Sequence, residues 1–194
     1  MKPFNGYEAK KRIEREQLPI GGYVVKVLDV QEHVYKWGNS LEISFDIVEG
    51  QHTGFFAEDY KNNSNEDRKW RGKYLLNEPK DDGSKEDGWT KNTFNSTMYA
   101  FEDSNNGYHW DWDEKKLKGL TVGALFRRKE WKKNDGTTDW CVECFSMIPT
   151  QDVRENKFKM PKDKPLKDKQ PARSTMPAGF EKITDDDDDM PFKL

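Results

Sequence analysis

Two short segments of the chain place a tryptophan beside lysines, a pattern suited to contacting unpaired nucleic-acid strands. The first is Tyr35-Lys36-Trp37, and the second is Trp131-Lys132-Lys133, preceded on the same stretch by Arg127 and Lys129. Exposed rings stack on bases, which contributes roughly 1 to 3 kcal/mol per base, and cations attract the phosphates. The competing interpretation is that each tryptophan packs over its own hairpin turn.

A third group of cations and aromatic rings lies in the middle of the chain. It comprises Tyr60, Lys61, Arg68, Lys69, Trp70, Arg71 and Lys73. We predict that this group forms a flap over the same groove. The alternative is a solvated helix whose aromatic side packs against the domain.

Two further tryptophans, Trp110 and Trp112, lie among the acidic residues Asp111, Asp113 and Glu114. Carboxylates repel phosphate, so this pair is unsuited to the same nucleic-acid contact. We expect both rings in the core or at an interface.

The residues that most often bind metals lack the spacing of a metal site. Cys141 and Cys144 are three residues apart in a predicted strand, so their thiols point to opposite faces and cannot share an ion. His33, His52 and His109 are isolated from one another and from the cysteines. The sequence therefore predicts structural cysteines, no metal site and no cofactor.

Motifs for catalysis are equally sparse. The chain contains neither a glycine-rich phosphate loop ending in Lys-Ser/Thr nor a Gly-x-Ser-x-Gly nucleophile turn. We predict no catalytic residues and no enzymatic activity. One alternative stays open, a metal-dependent nuclease built from Glu58, Asp59 and Lys61.

The C-terminal segment combines an acidic run with an apolar tip. It reads Asp185, Asp186, Asp187, Asp188, Asp189, Met190, Pro191 and Phe192. Five adjacent carboxylates cannot be buried together, so the run is expected to stay in solvent and to present Met190 and Phe192 to a pocket with a basic rim. A solubility device is the plainer interpretation of an acidic tail, although it has no use for the apolar tip.

This tip resembles the C-terminal peptide of bacterial and phage single-stranded DNA-binding proteins, in which aspartates precede an aliphatic residue, Pro and Phe. The resemblance implies single-stranded DNA as a ligand and recruitment of replication, recombination and repair proteins through the tip. Here Lys193 and Leu194 follow Phe192, so the terminal carboxylate belongs to another residue than in the family. Residues 18–160 also resemble phage- and prophage-encoded members from Gram-positive hosts, which implies a bacterial host cytoplasm.

Composition indicates one domain with tails. The chain has 194 residues, 33% hydrophobic content, and 33 basic against 36 acidic residues. Residues 174–194 hold two lysines against six acids, leaving 31 basic and 30 acidic residues elsewhere. Any nucleic-acid site must therefore come from local clustering of cations. The absence of a signal region and of a long apolar run predicts a soluble cytoplasmic protein without membrane contact.

The hydrophobic pattern predicts mostly strands. Alternation from residue 20 onward and again over 41–47 indicates a hairpin, a third strand is predicted over 53–60, and a second hairpin joins residues 120–131 to 138–148 through Asn134-Asp135-Gly136-Thr137. Between them, helices are predicted over 66–76 and 90–102, the latter from the spacing of Phe94, Met98 and Phe101. Thr90 or Asn92 is a candidate cap for it.

This order of elements is typical of an OB-fold, a five-stranded Greek-key barrel, here with a long partly helical insertion between strands 3 and 4. We predict an N-terminal arm or short helix over 1–19, the OB-fold-like domain over 20–160, and a disordered linker and acidic tip over 161–194.

Two functional hypotheses follow. One is sequence-tolerant binding of single-stranded DNA during replication or recombination, with partners recruited by the tip. The other is an adaptor without DNA affinity that acts through protein contacts. The residues do not distinguish a monomer from a homo-oligomer.

Overall fold

The structure is a computed structural model that describes residues 2, 3, 5, 7, 16–64 and 67–166. This part of the chain is mainly β, with one five-stranded antiparallel sheet and few helices. The strands are β1 (Gly21–Tyr35), β2 (Gly38–Ile47), β3 (Lys73–Asn77), β4 (Thr121–Lys132) and β5 (Thr138–Ile148). The helices are α1 (Phe55–Asn62), α2 (Lys85–Ser104) and α3 (Thr150–Arg154), with a 3-10 turn at Glu114–Leu117.

The sheet has the strand order β3-β2-β1-β4-β5, so the first strand lies in its centre. The β1–β2 and β4–β5 hairpins predicted from alternation are both confirmed, and β1 joins them by pairing with β4 from Gly21 to Lys26. Each hairpin contains one register shift, at Leu28 in β1 and at Phe145 in β5. Such bulges bend a strand and increase its twist, which curves the sheet around its apolar face.

That apolar face forms the core. Alternate residues of β1, β2 and β4, including Val25, Phe45 and Val122, are fully buried, and Phe94, Met98 and Phe101 of α2 pack against them. The helix predicted from the spacing of these three apolar residues is thereby confirmed. The helix begins five residues earlier than predicted, at Lys85, because the Ser84 hydroxyl accepts a hydrogen bond from the Asp87 amide at 3.1 Å. Neither Thr90 nor Asn92 is the cap.

The predicted third strand over 53–60 is wrong, because that segment contains α1. The carboxylate of Asp46 in β2 accepts hydrogen bonds from the Phe56 and Ala57 amides, both at 3.0 Å, and so satisfies the first turn of the helix. Phe56 is buried against the sheet. The helix is thus initiated by a side chain from another element, which local alternation does not reveal.

The predicted helix over 66–76 is also wrong, because Lys73–Asn77 forms β3. Tyr74 and Leu76 are buried while their neighbours are exposed, a period of two that places them on the core face. Pairing with β2, in which Ile43 lies opposite Tyr74 and Leu41 opposite Leu76, fixes the register. The third strand therefore comes after α1, and α2 separates β3 from β4.

After α3 the chain returns along β4. Lys164 forms a parallel bridge beside Lys129, with its amide donating to the Arg128 carbonyl at 2.8 Å and its carbonyl accepting from the Glu130 amide at 2.9 Å. Lys164 belongs to the first part of the predicted linker, of which residues 161–166 are described. The acidic tip, the rest of that linker and most of the predicted N-terminal helix lie outside the described residues.

Candidate nucleic-acid interface

The tip of the β1–β2 hairpin presents a pair of stacked rings. Tyr35 and Trp37 lie with centroids 4.8 Å apart and planes 6° from parallel. They are 39% and 51% exposed, so neither is walled into the interior. Lys36 between them is exposed, and no described carboxylate forms a salt bridge with it. The tip therefore combines open ring faces with an unneutralised cation.

A third ring extends this platform. His33 lies 6.0 Å from Tyr35, tilted by 35°, because residues two apart in a strand share a face. Its Nε2 is 4.0 Å from the Glu42 carboxylate on β2. Sequence reasoning considered His33 only as an isolated metal ligand, although its spacing from Tyr35 in a predicted strand already indicated a shared face.

Acidic residues lie on one side of the same tip. A recess beside Trp37 is lined by Asn77, Glu78, Asp82 and Glu86. Burial, followed by repulsion from Glu32, raises the pKa of Glu78. Phosphates are therefore expected on the side of the tip away from this recess.

The β4–β5 hairpin carries the second predicted group, and here the cations are paired. Glu143 accepts from Arg127 at 3.0 Å and from Lys129 at 3.0 Å, and Asp139 binds Lys133 at 2.8 Å. Burial acts to raise the pKa of Glu143, but hydrogen bonds from Lys129 and Arg127 outweigh it and the pKa is lowered.

Two members of the same hairpin remain open to solvent. Trp131 is 42% exposed. Lys132 is exposed, and it forms no salt bridge with any carboxylate in the described ranges. Of the predicted cations here, Lys132 is the one best placed to meet a phosphate.

The third predicted group divides into structural and exposed members. The Trp70 indole donates to the carbonyls of Phe45 at 3.1 Å and Gly72 at 2.9 Å, and the ring packs against the core. Arg71 pairs with Asp59 at 3.2 Å. Trp70 is thus held in place by its surroundings and offers little free ring surface.

The other members of this group lie around Tyr60. The Arg68 guanidinium lies 4.7 Å above the Tyr60 ring, a cation–π contact. Lys73 pairs with Glu42 at 2.9 Å on the outer face of the sheet, whereas Lys61 and Lys69 are exposed. The predicted flap is therefore a loop and a helix end beside β2 and β3.

The predicted residues outside the β4–β5 hairpin fall into two patches. The first hairpin tip lies at the Gly38 end of β2, and the group around Tyr60 and Trp70 lies at the Phe45 end, about 20 Å away at 3.3 Å per residue. The second patch lies near the β4–β5 hairpin, since β3, which directly follows it in the chain, contacts β5. Burial raises the pKa of Cys141 on β5, and the charges of Lys129 and Arg71 oppose that rise. The outer face of β2 and β3 connects the two patches.

The two cysteines, and Asp59 of the considered nuclease set, each have defined surroundings in the structure. Cys144 packs against the core and burial raises its pKa, whereas Cys141 lies beside the Lys129 carbonyl, and both are free thiols. No cluster of three or more His, Cys, Asp or Glu suited to a metal ion occurs in the described ranges. Asp59, one member of the considered nuclease set, is engaged by Arg71.

The chain matches no protein-family model, and no curated protein is significantly similar to it. Within the described ranges, none of the helices combines the length and apolar composition needed to cross a bilayer. The functional interpretation therefore depends on the geometry of the two patches.

Proposed function

We propose that this protein binds single-stranded DNA with little sequence preference, using a curved sheet of OB-fold type. In that fold, ligands lie across the second and third strands and between the loops that join strands 1 to 2 and 4 to 5. The strand order and the position of α2 between β3 and β4 support this assignment. The two edge strands, β3 and β5, also contact each other.

The observation that carries the proposal is the exposed Tyr35–Trp37 stack beside Lys36. A ring held parallel to its neighbour is already ordered, so a base that stacks on its free face causes little further loss of side-chain freedom. Every base has such a face, which makes the contact tolerant of sequence. Lys36 lies where a phosphate adjoining the stacked base is expected.

The exposed Trp131 and Lys132 on the second hairpin extend the same chemistry. A strand that runs from the first tip across β2 and β3 would reach Lys73, then the Tyr60 and Arg68 pair. The function is to cover exposed strands during replication or recombination. The acidic tip, residues 185–192, recruits partner proteins in this proposal.

A titration with oligothymidylate tests the proposal. Binding should quench tryptophan fluorescence and weaken steeply as salt rises, with a much weaker response to duplex DNA of the same length. Equal responses to single- and double-stranded DNA, or no quenching at low salt, would overturn it.

One observation favours the second candidate, a protein-binding adaptor without DNA affinity. Five of the predicted DNA-binding cations are paired with carboxylates, which weakens the field available to phosphates: Arg71, Lys73, Arg127, Lys129 and Lys133. Removal of residues 185–194 separates the candidates. A DNA-binding protein keeps or gains affinity for oligothymidylate when the acidic arm is lost, whereas an adaptor shows none before or after the deletion.

A further inference from the structure

A groove lined by aromatic rings lies along α2 and contains none of the residues of the proposed DNA site. It runs between α2 and the segment that follows it, with Phe94, Met98 and Tyr99 on one side and Trp110 and Trp112 on the other. The centroids of Phe94, Trp110 and Trp112 are each about 6 Å from the other two. Trp110 and Trp112 were predicted from the sequence to lie in the core or at an interface, and the proposed DNA site uses none of the three rings.

Trp112 is unusual in being both highly exposed and conformationally restricted. It is 78% exposed and its backbone has φ 70°, the left-handed region that bulky residues rarely adopt. Its indole lies nearly parallel to the buried Phe94 ring, at an interplanar angle of 14°. The backbone and the Phe94 contact together hold the indole at the mouth of the groove, and Tyr99 opposite is also exposed.

The surroundings of the groove are acidic. Glu102 lines it, accepts from the Trp110 amide at 2.9 Å, and has a carboxylate oxygen 2.9 Å from Nδ1 of His109. Asp111, paired with Lys116, and Asp113 follow directly. Burial, followed by the charges of Asp111, Glu102 and Asp113, raises the pKa of Tyr108 to about 12.

We propose that this groove docks a lysine- or arginine-rich segment of a partner protein, with one cationic side chain held over the faces of Trp112 and Tyr99. Tryptophan gives the strongest cation–π attraction of the aromatic side chains, and nearby carboxylates reinforce it. The same field repels DNA phosphates and the aspartates of the chain's own tip. The inference goes beyond the proposed DNA binding and does not depend on it.

NMR of the indole N–H groups tests this docking site in the full chain. Asn replaces each aspartate from Asp185 to Asp189, so that the tip cannot capture a cationic probe. The probe is a short blocked peptide of alternating arginine and glycine, and the control peptide has glutamine in place of arginine. The signals of Trp110 and Trp112 should shift with the arginine peptide alone, and oligothymidylate should leave them unchanged.

Two variants and a matched control complete the experiment. Trp112→Ala should weaken peptide binding by about fivefold or more, and Glu102→Gln should weaken it by a smaller factor. Trp89→Ala should have no effect, because Trp89 is also solvent-exposed, at 60%, but its ring is already covered by Lys85 at 5.4 Å. Unchanged binding in Trp112→Ala, equal binding of the glutamine peptide, or a change of oligomeric state as the sole effect would overturn the proposal.

Discussion

The two hairpins carry the same sequence pattern, a tryptophan beside lysine, yet the structure gives them different electrostatics. At the β1–β2 tip, Lys36 has no salt bridge to any described carboxylate, and Trp37 is stacked on Tyr35. On the β4–β5 hairpin, Glu143 holds both Arg127 and Lys129. A cluster of cations in the sequence is therefore an incomplete guide to positive potential, since cross-strand carboxylates decide how much charge remains available.

The difference suggests a division of work between the hairpins. Under the proposed DNA binding, the first tip would supply exposed ring faces on which a base can stack. The second supplies one open ring, Trp131, together with cations whose charge becomes available to phosphate only when it competes with Glu143. We therefore expect the first tip to dominate affinity, and the predictions below examine that ranking.

The largest expected effect comes from the first tip. Trp37→Ala should weaken binding of oligothymidylate by about tenfold or more, because stacking contributes roughly 1 to 3 kcal/mol per base. Fluorescence anisotropy of a labelled oligonucleotide measures the change. Trp112→Ala is the matched control, an exposed tryptophan in an acidic field that should leave DNA affinity unaltered. Equal losses in both variants would contradict the assignment of the site.

The second prediction concerns the carboxylate that holds the β4–β5 cations. Glu143→Gln frees Arg127 and Lys129, so affinity for single-stranded DNA should increase about threefold to tenfold. The slope of log K against log salt should also become steeper, by about 0.7 for each new phosphate contact. The fold should tolerate the change, at a cost of about 1 kcal/mol or less for a partly exposed pair. An unchanged salt slope would remove this hairpin from the DNA site.

A smaller effect on DNA affinity is expected from replacing a single lysine, and it should differ between the two hairpins. Lys36→Gln should lower affinity about threefold and reduce the salt slope by about 0.7, the value for one phosphate contact on a single strand. Lys133→Gln should change neither quantity measurably, because Asp139 already neutralises Lys133 at 2.8 Å. Salt titrations of both variants side by side give the comparison. A larger loss in Lys133→Gln would reverse the ranking of the hairpins.

The smallest effect is on stability and differs in sign between the two sites. The pKa of Glu78, beside the first tip, is raised, so its ionisation penalises the folded state at neutral pH, and this penalty disappears below the unfolded pKa of about 4.3. Glu78→Gln should therefore raise Tm at pH 7 by about 2 °C or less, and leave it unchanged near pH 3.5.

Glu143 should show the opposite dependence. Its pKa is lowered, so its stabilisation is present at neutral pH and is lost as the pH falls below about 4.3 and through the folded value. Glu143→Gln should lower Tm at pH 7 and not at low pH. Thermal melts of both variants at the two pH values test the pair, and parallel shifts would contradict the assigned directions.

The hairpins could be predicted from the sequence because their signal is local. Alternation in β2 and β4 and the Asn134–Thr137 turn determine which residues face the core. The segment from 53 to 77 could not be assigned in this way. Its helix is initiated by Asp46 of β2, and its strand is defined by pairing with Leu41 and Ile43, so both depend on contacts distant in sequence.

For the candidate site, the sequence indicated which types of residue could contact DNA, but not which of those side chains are exposed and free of other partners. The ring pair at Tyr35 and Trp37 is exposed as expected, whereas the bonds that hold Trp70 come from carbonyls of β2 and the loop before β3. Arg127 and Lys129 lie on alternate positions of one strand, and their shared partner Glu143 becomes evident only once the register with β5 is known.

The short parallel bridge at Lys164 occupies backbone groups in the outer half of β4. The pairing of β4 with β1 stops at Phe126, so beyond this residue β4 forms a free edge of the sheet. On this edge the Arg128 carbonyl and the Glu130 amide, which could otherwise pair with a strand of another chain, are hydrogen-bonded to Lys164. These two backbone groups are thereby unavailable for pairing with a strand of another chain. Two residues after the bridge, the Leu166 amide donates to the Glu130 carboxylate at 3.0 Å, so the described chain remains attached to this edge of β4 up to its last described residue.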